Sequence, residues 1–372
     1  MSCLSYVDLH RQVSSDIDAE ITAALESLGP SSEAVRRSIS GLLDHQRMKY
    51  PLSVLPLLVH AAETGFPGPA VPLGAVHVLW WTSACYLDDL ADGHGAHLPA
   101  GLGTDEALLA SVLGGHALPI RIVQAQPVPD AVRNALTAEI VNCCIDAVEG
   151  QLRDLRGVGE NTSRDAVVAA CRGKSGAPFS MITTMAALLS GAGTERTELW
   201  RQFGSTFGVL WQLLNDQEDL LSGREEDLRN GTVTYLLACA LEETPPGSRT
   251  RVAELGVAAR SSEQARAELR ALLLDPVVLR RFEKDLAVFR DEAHRVLDEL
   301  GGDEAYMPAL RQLVDQTAGL YLTQGPSDGS PGHQGAGERR RSTGAPGGPS
   351  PHALRPSGTS SATAGRTPPR CP

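Results

Sequence analysis

The sequence predicts an all-α fold, formed by a single domain of about ten or more helices. Apolar residues recur at three- and four-residue spacing along most of the first 323 residues. Sustained two-residue alternation, which is typical of strands, does not occur, and clusters of β-branched residues are few. Glycine and proline breaks separate the apolar stretches, which indicates helices joined by turns.

The predicted helices follow one another along the chain. The clearest one covers residues 279–300, where Leu279, Phe282, Leu286 and Leu297 share one face and Gly301 marks the end. Similar stripes run through about 31–46, 52–64, 72–92, 104–125, 129–155, 163–190, 195–221 and 232–243. The breaks between them fall at Pro30 and in segments 65–69, 93–103, 191–193 and 245–247.

The last part of the chain has a different composition. From Gln324 onward it is rich in Gly, Pro, Ser, Thr and Arg and has almost no large apolar residue. Such a segment cannot bury enough surface to offset the entropy of ordering. We therefore predict a helical domain over residues 1–323 and a disordered tail over residues 324–372.

Composition excludes several classes of protein. The chain is 42% hydrophobic and carries a formal charge of -12, which argues against a general nucleic-acid binder. Its 7 cysteines form no CxxC pair, so we expect free thiols in a reducing cytoplasm. The N-terminus does not resemble a secretory signal, and the longest apolar run, residues 71–87, is short for a membrane span. We expect a cytoplasmic protein without stable membrane insertion.

A first acidic segment lies at residues 88–92, Asp-Asp-Leu-Ala-Asp. On a helix, Asp88 and Asp92 lie on one face a turn apart, with Asp89 beside them. Such carboxylates repel each other unless a cation lies between them, and Mg²⁺ commonly bridges carboxylates to a substrate phosphate. Because the preceding helix is apolar, the segment fits a ligand with an anionic head and a hydrocarbon tail.

A second acidic segment lies at residues 215–219, Asn-Asp-Gln-Glu-Asp, and also follows an apolar helical stretch. Asn215 and Asp219 are again four positions apart, with Asp216 between them. An Asn carbonyl oxygen is a competent ligand for a hard metal ion. Two such segments are hard to explain as chance surface chemistry, and together they predict a magnesium-bound diphosphate.

These residues resemble the trans-isoprenyl diphosphate synthase (polyprenyl synthetase) family, over roughly residues 40 to 240. Segment 113–118 resembles the family's LAGDAL segment, with His116 where Asp is usual. Segments 149–152 and 173–179 resemble its GQ and GKT motifs, and Trp211-Gln212 stands where the family has Phe-Gln. The resemblance implies a helical bundle around a central cavity and a homodimer.

The resemblance also assigns roles to individual residues. It implies a small-molecule prenyl diphosphate as the substrate, bound through three Mg²⁺ ions per active site, and a reaction that needs no protein nucleophile. The implied site residues are Asp88 and Asp92 for two Mg²⁺ ions, Asn215 and Asp219 beside a third, Asp89 and Asp216 within the same motifs, Lys174 for the diphosphate, and Gln212 on the cavity wall.

Several cations that the family resemblance leads one to expect are missing, including those of the early basic segment and of the arginine pair after the first acidic motif, which bind isopentenyl diphosphate in the family. In the early basic segment, residues 46–51, only Arg47 falls at an expected position. Residues 93–99 contain no arginine, and Thr232 replaces the lysine of a DLxxGK segment. Because each charge-assisted phosphate contact contributes about 1.5–3 kcal/mol, their loss predicts weak binding of a second diphosphate.

Aromatic and small residues are expected around the hydrocarbon tail. Trp80, Trp81, Phe179 and Trp211 lie on segments that should border the cavity, where aromatic faces stabilise cations. Ser83 and Ala84 precede Asp88 at positions where bulky residues in the family shorten the product. Their small size predicts a deep pocket for a farnesyl or geranylgeranyl chain.

The leading hypothesis from the sequence is a class I terpene cyclase, which ionises one prenyl diphosphate and lets the cation attack its own double bonds. One alternative is a chain-elongating synthase whose second site uses Lys49, Arg36, Arg37 and Arg172. Another is a prenyltransferase acting on a peptide or aromatic acceptor. The last is a noncatalytic regulatory subunit, although such a subunit has little reason to keep both acidic segments.

Overall fold

Sixteen α-helices occupy the residues that the computed structural model describes, which are 5–45, 52–91, 101–155 and 162–322. No strand occurs among these residues, so the predicted all-α fold is confirmed. The helices are α1 Tyr6–Glu26, α2 Glu33–His45, α3 Leu55–Thr64, α4 Val71–Ala91, α5 Thr104–Val112, α6 Leu118–Ala125, α7 Asp130–Asp154, α8 Arg164–Cys171, α9 Ala177–Leu189, α10 Thr194–Ser222, α11 Glu226–Asn230, α12 Tyr235–Glu243, α13 Arg249–Ala259, α14 Glu263–Leu273, α15 Pro276–Leu300 and α16 Met307–Thr317.

Local signals in the sequence explain where individual helices begin and end. At the start of α15 the Asp275 carboxylate accepts the Val277 N–H at 2.7 Å, and Pro276 occupies the first helical position. At the end of α3, Gly65 adopts a φ of 78°, a left-handed conformation that favours glycine. The end of α3 agrees with the break expected at residues 65–69, whereas α15 begins three residues before the predicted start at 279.

Two predicted helices are each divided by a short π-helical turn. Residues 113–117 separate α5 from α6 within the predicted helix 104–125, and residues 172–176 separate α8 from α9 within 163–190. Both turns lie in motif segments, and π-turns inside helices are frequent at functional sites. The hydrophobic period in the sequence predicts each of these pairs as one continuous helix.

The centre of the bundle is a close pairing of α9 with α10. A Cβ added to Gly204 would lie 2.5 Å from the carbonyl oxygen of Phe179, and one added to Gly208 would lie 2.5 Å from that of Ser175. Glycine therefore lets the two backbones approach directly. Their interface is buried, with Phe179, Phe203 and Phe207 each 0% exposed, and it carries the motif at residues 173–179 beside the second acidic segment.

Among the residues that the structure describes, two helical stretches are long and apolar enough to cross a membrane by length and composition alone. They are Gly68–Ala91, which is 61% buried within the bundle, and Thr104–Ala125, which is 50% buried. Helices buried by other helices in a soluble domain pass the same test, so their apolar character is explained by packing. This agrees with the expectation of a core helix at residues 71–87.

The predicted boundary at residue 323 falls at the end of the described residues, which belong to one compact unit. The tail at residues 324–372 lies outside them, so its disorder stays a prediction. Arg47, Lys49 and Asp92 also lie outside the described residues.

Candidate active site

A cavity of about 530 Å³ opens between α4, α7, α10 and the segment that follows α10. It brings together both acidic segments and the GKT-like motif, which are far apart in the sequence. The residues expected at the site that line it are Trp80, Trp81, Ser83, Ala84, Asp88, Asp89, Lys174, Trp211, Gln212, Asn215, Asp216 and Asp219.

Lys174 is held in the cavity wall by a direct contact between two backbones. It lies in the π-helical turn at residues 172–176, which packs against α7 at Gly150 and Gly173. A Cβ added to Gly150 would lie 2.3 Å from the backbone nitrogen of Lys174, and one added to Gly173 would lie 2.7 Å from Gly150 Cα. Glycine at both positions therefore sets the position of the lysine.

The Lys174 ammonium bridges two carboxylates. Its Nζ lies 2.9 Å from Asp88 Oδ1 and 2.9 Å from Asp154 Oδ2. Burial alone would lower the pKa of Lys174, but the charges and hydrogen bonds of Asp88 and Asp154 outweigh it and raise the pKa above its usual value. The lysine is therefore a fixed positive charge beside the first acidic segment.

Asp154 is a site residue that sequence analysis missed. It occupies the last position of α7, three residues after Gln151, and its side chain is 15% exposed. The available signal was an acid directly after the GQ-like motif. Its contact with Lys174 depends on how α7 meets residues 172–176, which the sequence does not show.

Asp216 in the second acidic segment is buried and held by hydrogen bonds. Its Oδ1 accepts Gln212 Nε2 at 2.9 Å, and its carboxylate also accepts the backbone N–H of Tyr235. Gln212 Oε1 in turn accepts the Ser175 hydroxyl at 2.6 Å. Burial is the main cause that raises the pKa of Asp216, and the neighbouring Asp154 raises it further.

Asp219 caps a short helix. Its two carboxylate oxygens accept the backbone N–H groups of Glu226 and Asp227, each at 3.1 Å, at the start of α11. Arg224 Nε lies 3.8 Å from Asp219 Oδ1 and also lines the cavity. In this arrangement Asp219 ties the segment after α10 to the acidic motif. Asn215 keeps its side chain at the cavity surface.

Negative charge is in excess at the cavity mouth. Among the described residues that line it, six are carboxylates, whereas Lys174 and Arg224 are the two with a permanent positive charge. Burial, followed by the charges of Asp216 and Asp219, raises the pKa of Asp227. An electrostatic field of this sign favours cations.

The donor set fits hard divalent cations, because every candidate ligand is a carboxylate or amide oxygen. No group of three or more His, Cys, Asp or Glu side chains close enough to hold a metal ion occurs within the described ranges. Each ion would therefore take one or two ligands from the protein and the others from diphosphate and water, which is the coordination that Mg²⁺ prefers. Of the expected metal ligands, Asp88, Asn215, Asp216 and Asp219 line the cavity and could take this role.

The deeper part of the cavity is aromatic. Trp80, Trp81 and Trp211 line it, and the indole N–H of Trp80 donates to the Cys144 sulfur. Phe179, expected at the cavity, is instead 0% exposed and lies behind the lining. Its ring centroid is 5.2 Å from that of Trp81 and 6.1 Å from that of Trp211, so it supports the two indoles from behind. Helical periodicity in the sequence does not distinguish a residue on the cavity surface, such as Trp81, from one packed behind it, such as Phe179.

Ser83 also has a packing role. A Cβ added to Gly115 would lie 2.6 Å from Ser83 Cβ, so α4 presses directly on the turn at residues 113–117. A small residue at this position is required for helix packing as well as for pocket depth. His116, the departure from the LAGDAL pattern, lines the cavity beside it.

Comparison with known proteins agrees with this geometry. The model of the family described as polyprenyl synthetase matches residues 105–273. Over these residues the chain is similar to the polyprenyl synthetase family. The chain is 29% identical over 202 residues to a nonaprenyl diphosphate synthase of Mycobacterium tuberculosis, a match that covers 52% of this chain and 58% of that protein.

Other relatives extend the similarity. A short chain isoprenyl diphosphate synthase of Methanothermobacter thermautotrophicus is 24% identical over 264 residues, covering 67% of this chain and 79% of that protein. The geranylgeranyl pyrophosphate synthetase structure of Pyrococcus horikoshii has a TM-score of 0.70 at 18% identity, covering 84% of this chain and 97% of that one. A Caulobacter crescentus polyprenyl synthase, solved with calcium and isoprenyl diphosphate, has a TM-score of 0.68 at 19% identity, covering 86% and 98%. These structures share the fold.

Proposed function

We propose that this protein is a magnesium-dependent prenyltransferase that joins an allylic prenyl diphosphate to isopentenyl diphosphate. The observation that carries the proposal is a single cavity with an acidic mouth, a fixed ammonium at Lys174 and an aromatic interior. The two curated relatives named above are both described as diphosphate synthases, which favours chain elongation over the cyclisation expected from the sequence.

In this mechanism the C1–O bond of the allylic substrate breaks, and its electron pair leaves with the diphosphate. Bound Mg²⁺ would supply the positive charge that stabilises this leaving group. Lys174 would bind the diphosphate by a charge-assisted contact, and Asp88, Asn215 and Asp216, which line the same cavity, would hold the metal ions. The C3=C4 double bond of isopentenyl diphosphate then attacks C1, which leaves the positive charge on C3. C2 gives a proton to the released diphosphate, and a C2=C3 double bond forms.

The interior of the cavity fits the hydrocarbon part of the substrate. The indole faces of Trp80, Trp81 and Trp211 lie where the prenyl chain would extend, and aromatic faces stabilise a cation electrostatically. The small side chains of Ser83 and Ala84 line the same cavity. We propose a farnesyl or geranylgeranyl chain, and we place the enzyme in the cytoplasm, where its five described free cysteines are stable as thiols.

Cyclisation of the same substrate is the second candidate, because of the scarcity of cations. Of the arginines that could form an unfamiliar second site, Arg36 donates to the Gly29 carbonyl at 3.0 Å and Arg37 lies 4.0 Å from Glu33. Neither of them, nor Arg172, is among the described residues that line the cavity. A second diphosphate therefore finds few partners there.

The substrate test separates the two candidates. The purified protein is incubated with Mg²⁺ and farnesyl or geranylgeranyl diphosphate, with and without isopentenyl diphosphate, and the products are identified by mass spectrometry. We expect a longer prenyl diphosphate that forms only when isopentenyl diphosphate is present. A hydrocarbon formed from the allylic substrate alone would contradict chain elongation and support cyclisation.

An exposed apolar stripe on α7 supports the expected homodimer. Val141, Ile145, Val148 and Leu152 follow at spacings of four and three residues, and Ile145 is 63% exposed. This spacing is typical of helices that pack against another helix. Leu109 on α5 is 70% exposed. We propose that a second copy of the chain covers these residues through a two-fold contact, in which each stripe faces its counterpart.

We expect an Ile145→Glu variant to be monomeric, whereas the unchanged protein has twice the chain mass of 39.4 kDa. Burying an isoleucine contributes about 1.5–3 kcal/mol, and a two-fold dimer loses this contribution twice. Light scattering after gel filtration measures the mass. Val288→Glu is the matched control, because Val288 is 57% exposed on α15. If the Ile145→Glu and Val288→Glu variants had equal masses, the interface would not include the apolar stripe on α7.

A further inference from the structure

An arginine from a distant part of the sequence reaches the rim of the cavity. Arg260 follows directly after α13, and its side chain lies over Gly231. A Cβ added to Gly231 would lie 3.0 Å from Arg260 Cδ and 3.5 Å from Arg260 Nε. The residues on either side of Gly231, Asn230 and Thr232, both line the cavity.

Gly231 makes this approach feasible in two ways. Its φ of 72° is a left-handed conformation that favours glycine. The missing side chain also leaves space for Arg260, whose Cγ, Cδ and Nε lie 3.3, 3.0 and 3.5 Å from the position that a Cβ would take there.

The Arg260 guanidinium has no carboxylate partner. Within the part of the chain that the structure describes, it makes neither an ion pair nor a side-chain hydrogen bond. Other arginines nearby are engaged: Arg251 lies 3.9 Å from Glu254, and Arg266 donates to the Ala259 carbonyl at 2.9 Å. An exposed, unpaired guanidinium beside an acidic cavity is available for an anionic ligand.

A lysine that the family resemblance leads one to expect is absent from the same rim. Thr232 occupies the position at which the resembled DLxxGK segment has its lysine, and the six carboxylates that line the cavity leave a diphosphate with few positive partners. A guanidinium offers several donors in a planar arrangement that matches phosphate oxygens.

We propose that Arg260 binds the diphosphate of the allylic substrate at the rim formed by residues 230–232, in place of the lysine absent at Thr232. This inference rests on the proposed function, since it concerns the same cavity. It assigns to a residue of α13's C-terminal end a contact with the substrate. It also explains why glycine occupies position 231.

The test measures binding of inorganic diphosphate with Mg²⁺ by titration calorimetry, so that no turnover is needed. We expect Arg260→Ala to weaken binding about 10- to 100-fold, which corresponds to one lost charge-assisted contact. Arg251→Ala is the matched control, because Arg251 is also a surface arginine of α13 and its side chain is 71% exposed. Its binding should equal that of the unchanged protein. Thermal unfolding verifies that each variant is folded.

A second variant tests the position of the contact. Adding Thr232→Lys to Arg260→Ala should restore at least part of the lost affinity, because the new ammonium lies at the same rim. Unchanged binding by Arg260→Ala, or a loss that Thr232→Lys does not restore, overturns the proposal. If the unchanged protein binds diphosphate through Arg260 but forms no prenyl product, the proposed function fails and the assignment of Arg260 stands.

Discussion

We expect an Asp88→Ala variant to lose turnover by about 10³-fold, equivalent to ~4 kcal/mol of transition-state stabilisation. Asp88 lies at the cavity mouth with a side chain that is 30% exposed, so a metal ion and water can reach it. Without this carboxylate the proposed magnesium loses a protein ligand on the side of α4. The effect should appear mainly in kcat and in the magnesium concentration required for half-maximal rate, measured with saturating allylic substrate.

Asp16→Ala is the control for general effects of removing a negative charge, because Asp16 is exposed on α1, outside the cavity lining. It should retain full activity. The fold of Asp88→Ala should persist, since Lys174 keeps its second partner, Asp154, at 2.9 Å. Unaltered turnover in a folded Asp88→Ala protein would contradict the metal assignment.

Helices with a strong apolar stripe were predictable from the sequence, and their ends were less so. The stripe at 279–300 corresponds to α15, and the one at 195–221 corresponds to α10 at Thr194–Ser222. Helices α1, α11, α13, α14 and α16 were not predicted from the sequence. In α13 the apolar positions are mostly alanine, valine and glycine, which give a weak stripe. The buried face of α13 can therefore be recognised only from its packing against neighbouring helices.

The two π-helical turns show why local sequence was insufficient. At residues 172–176 the chain follows the backbone contact between Gly150 and Gly173, which joins segments that are distant in sequence. Helix propensity and period describe one segment at a time. A turn caused by contact with another helix therefore leaves no signal in its own residues beyond the glycines.

The sequence was sufficient to identify site residues that are recognisable from the spacing within one segment. It was not sufficient for residues whose role depends on contacts between segments that are distant in the sequence. Spacing at i and i+4 was sufficient to select Asp88, and the same rule selected Asn215 and Asp219. It could not indicate that Asp219 also caps α11, because the cap depends on the left-handed Glu225, whose φ is 52°. Arg224 likewise enters the cavity through this turn, with no motif to mark it.

Replacing Lys174 should lower turnover about as much as replacing Asp88. It should strengthen Mg²⁺ binding, whereas the loss of Asp88 should weaken it. We expect Lys174→Gln to lower turnover about 10²- to 10³-fold, because one charge-assisted contact to the leaving diphosphate is lost. In the unchanged protein, the ammonium lies 2.9 Å from Asp88 Oδ1 and competes with a metal ion for that oxygen. Removing a positive charge at this distance should strengthen Mg²⁺ binding measured by calorimetry without substrate.

This pair of effects distinguishes a lost substrate contact from damage to the fold, because a distorted site would weaken metal binding and turnover together. Lys284→Gln is the matched control, since Lys284 is exposed on α15, and it should change neither quantity. Lys174→Arg keeps the charge but not the shape of the ammonium, so it should bind Mg²⁺ like the unchanged protein and recover part of the turnover. If Lys174→Gln instead weakened Mg²⁺ binding, the ion pair with Asp88 would be a support for the metal site, and the proposed competition between lysine and metal would be wrong.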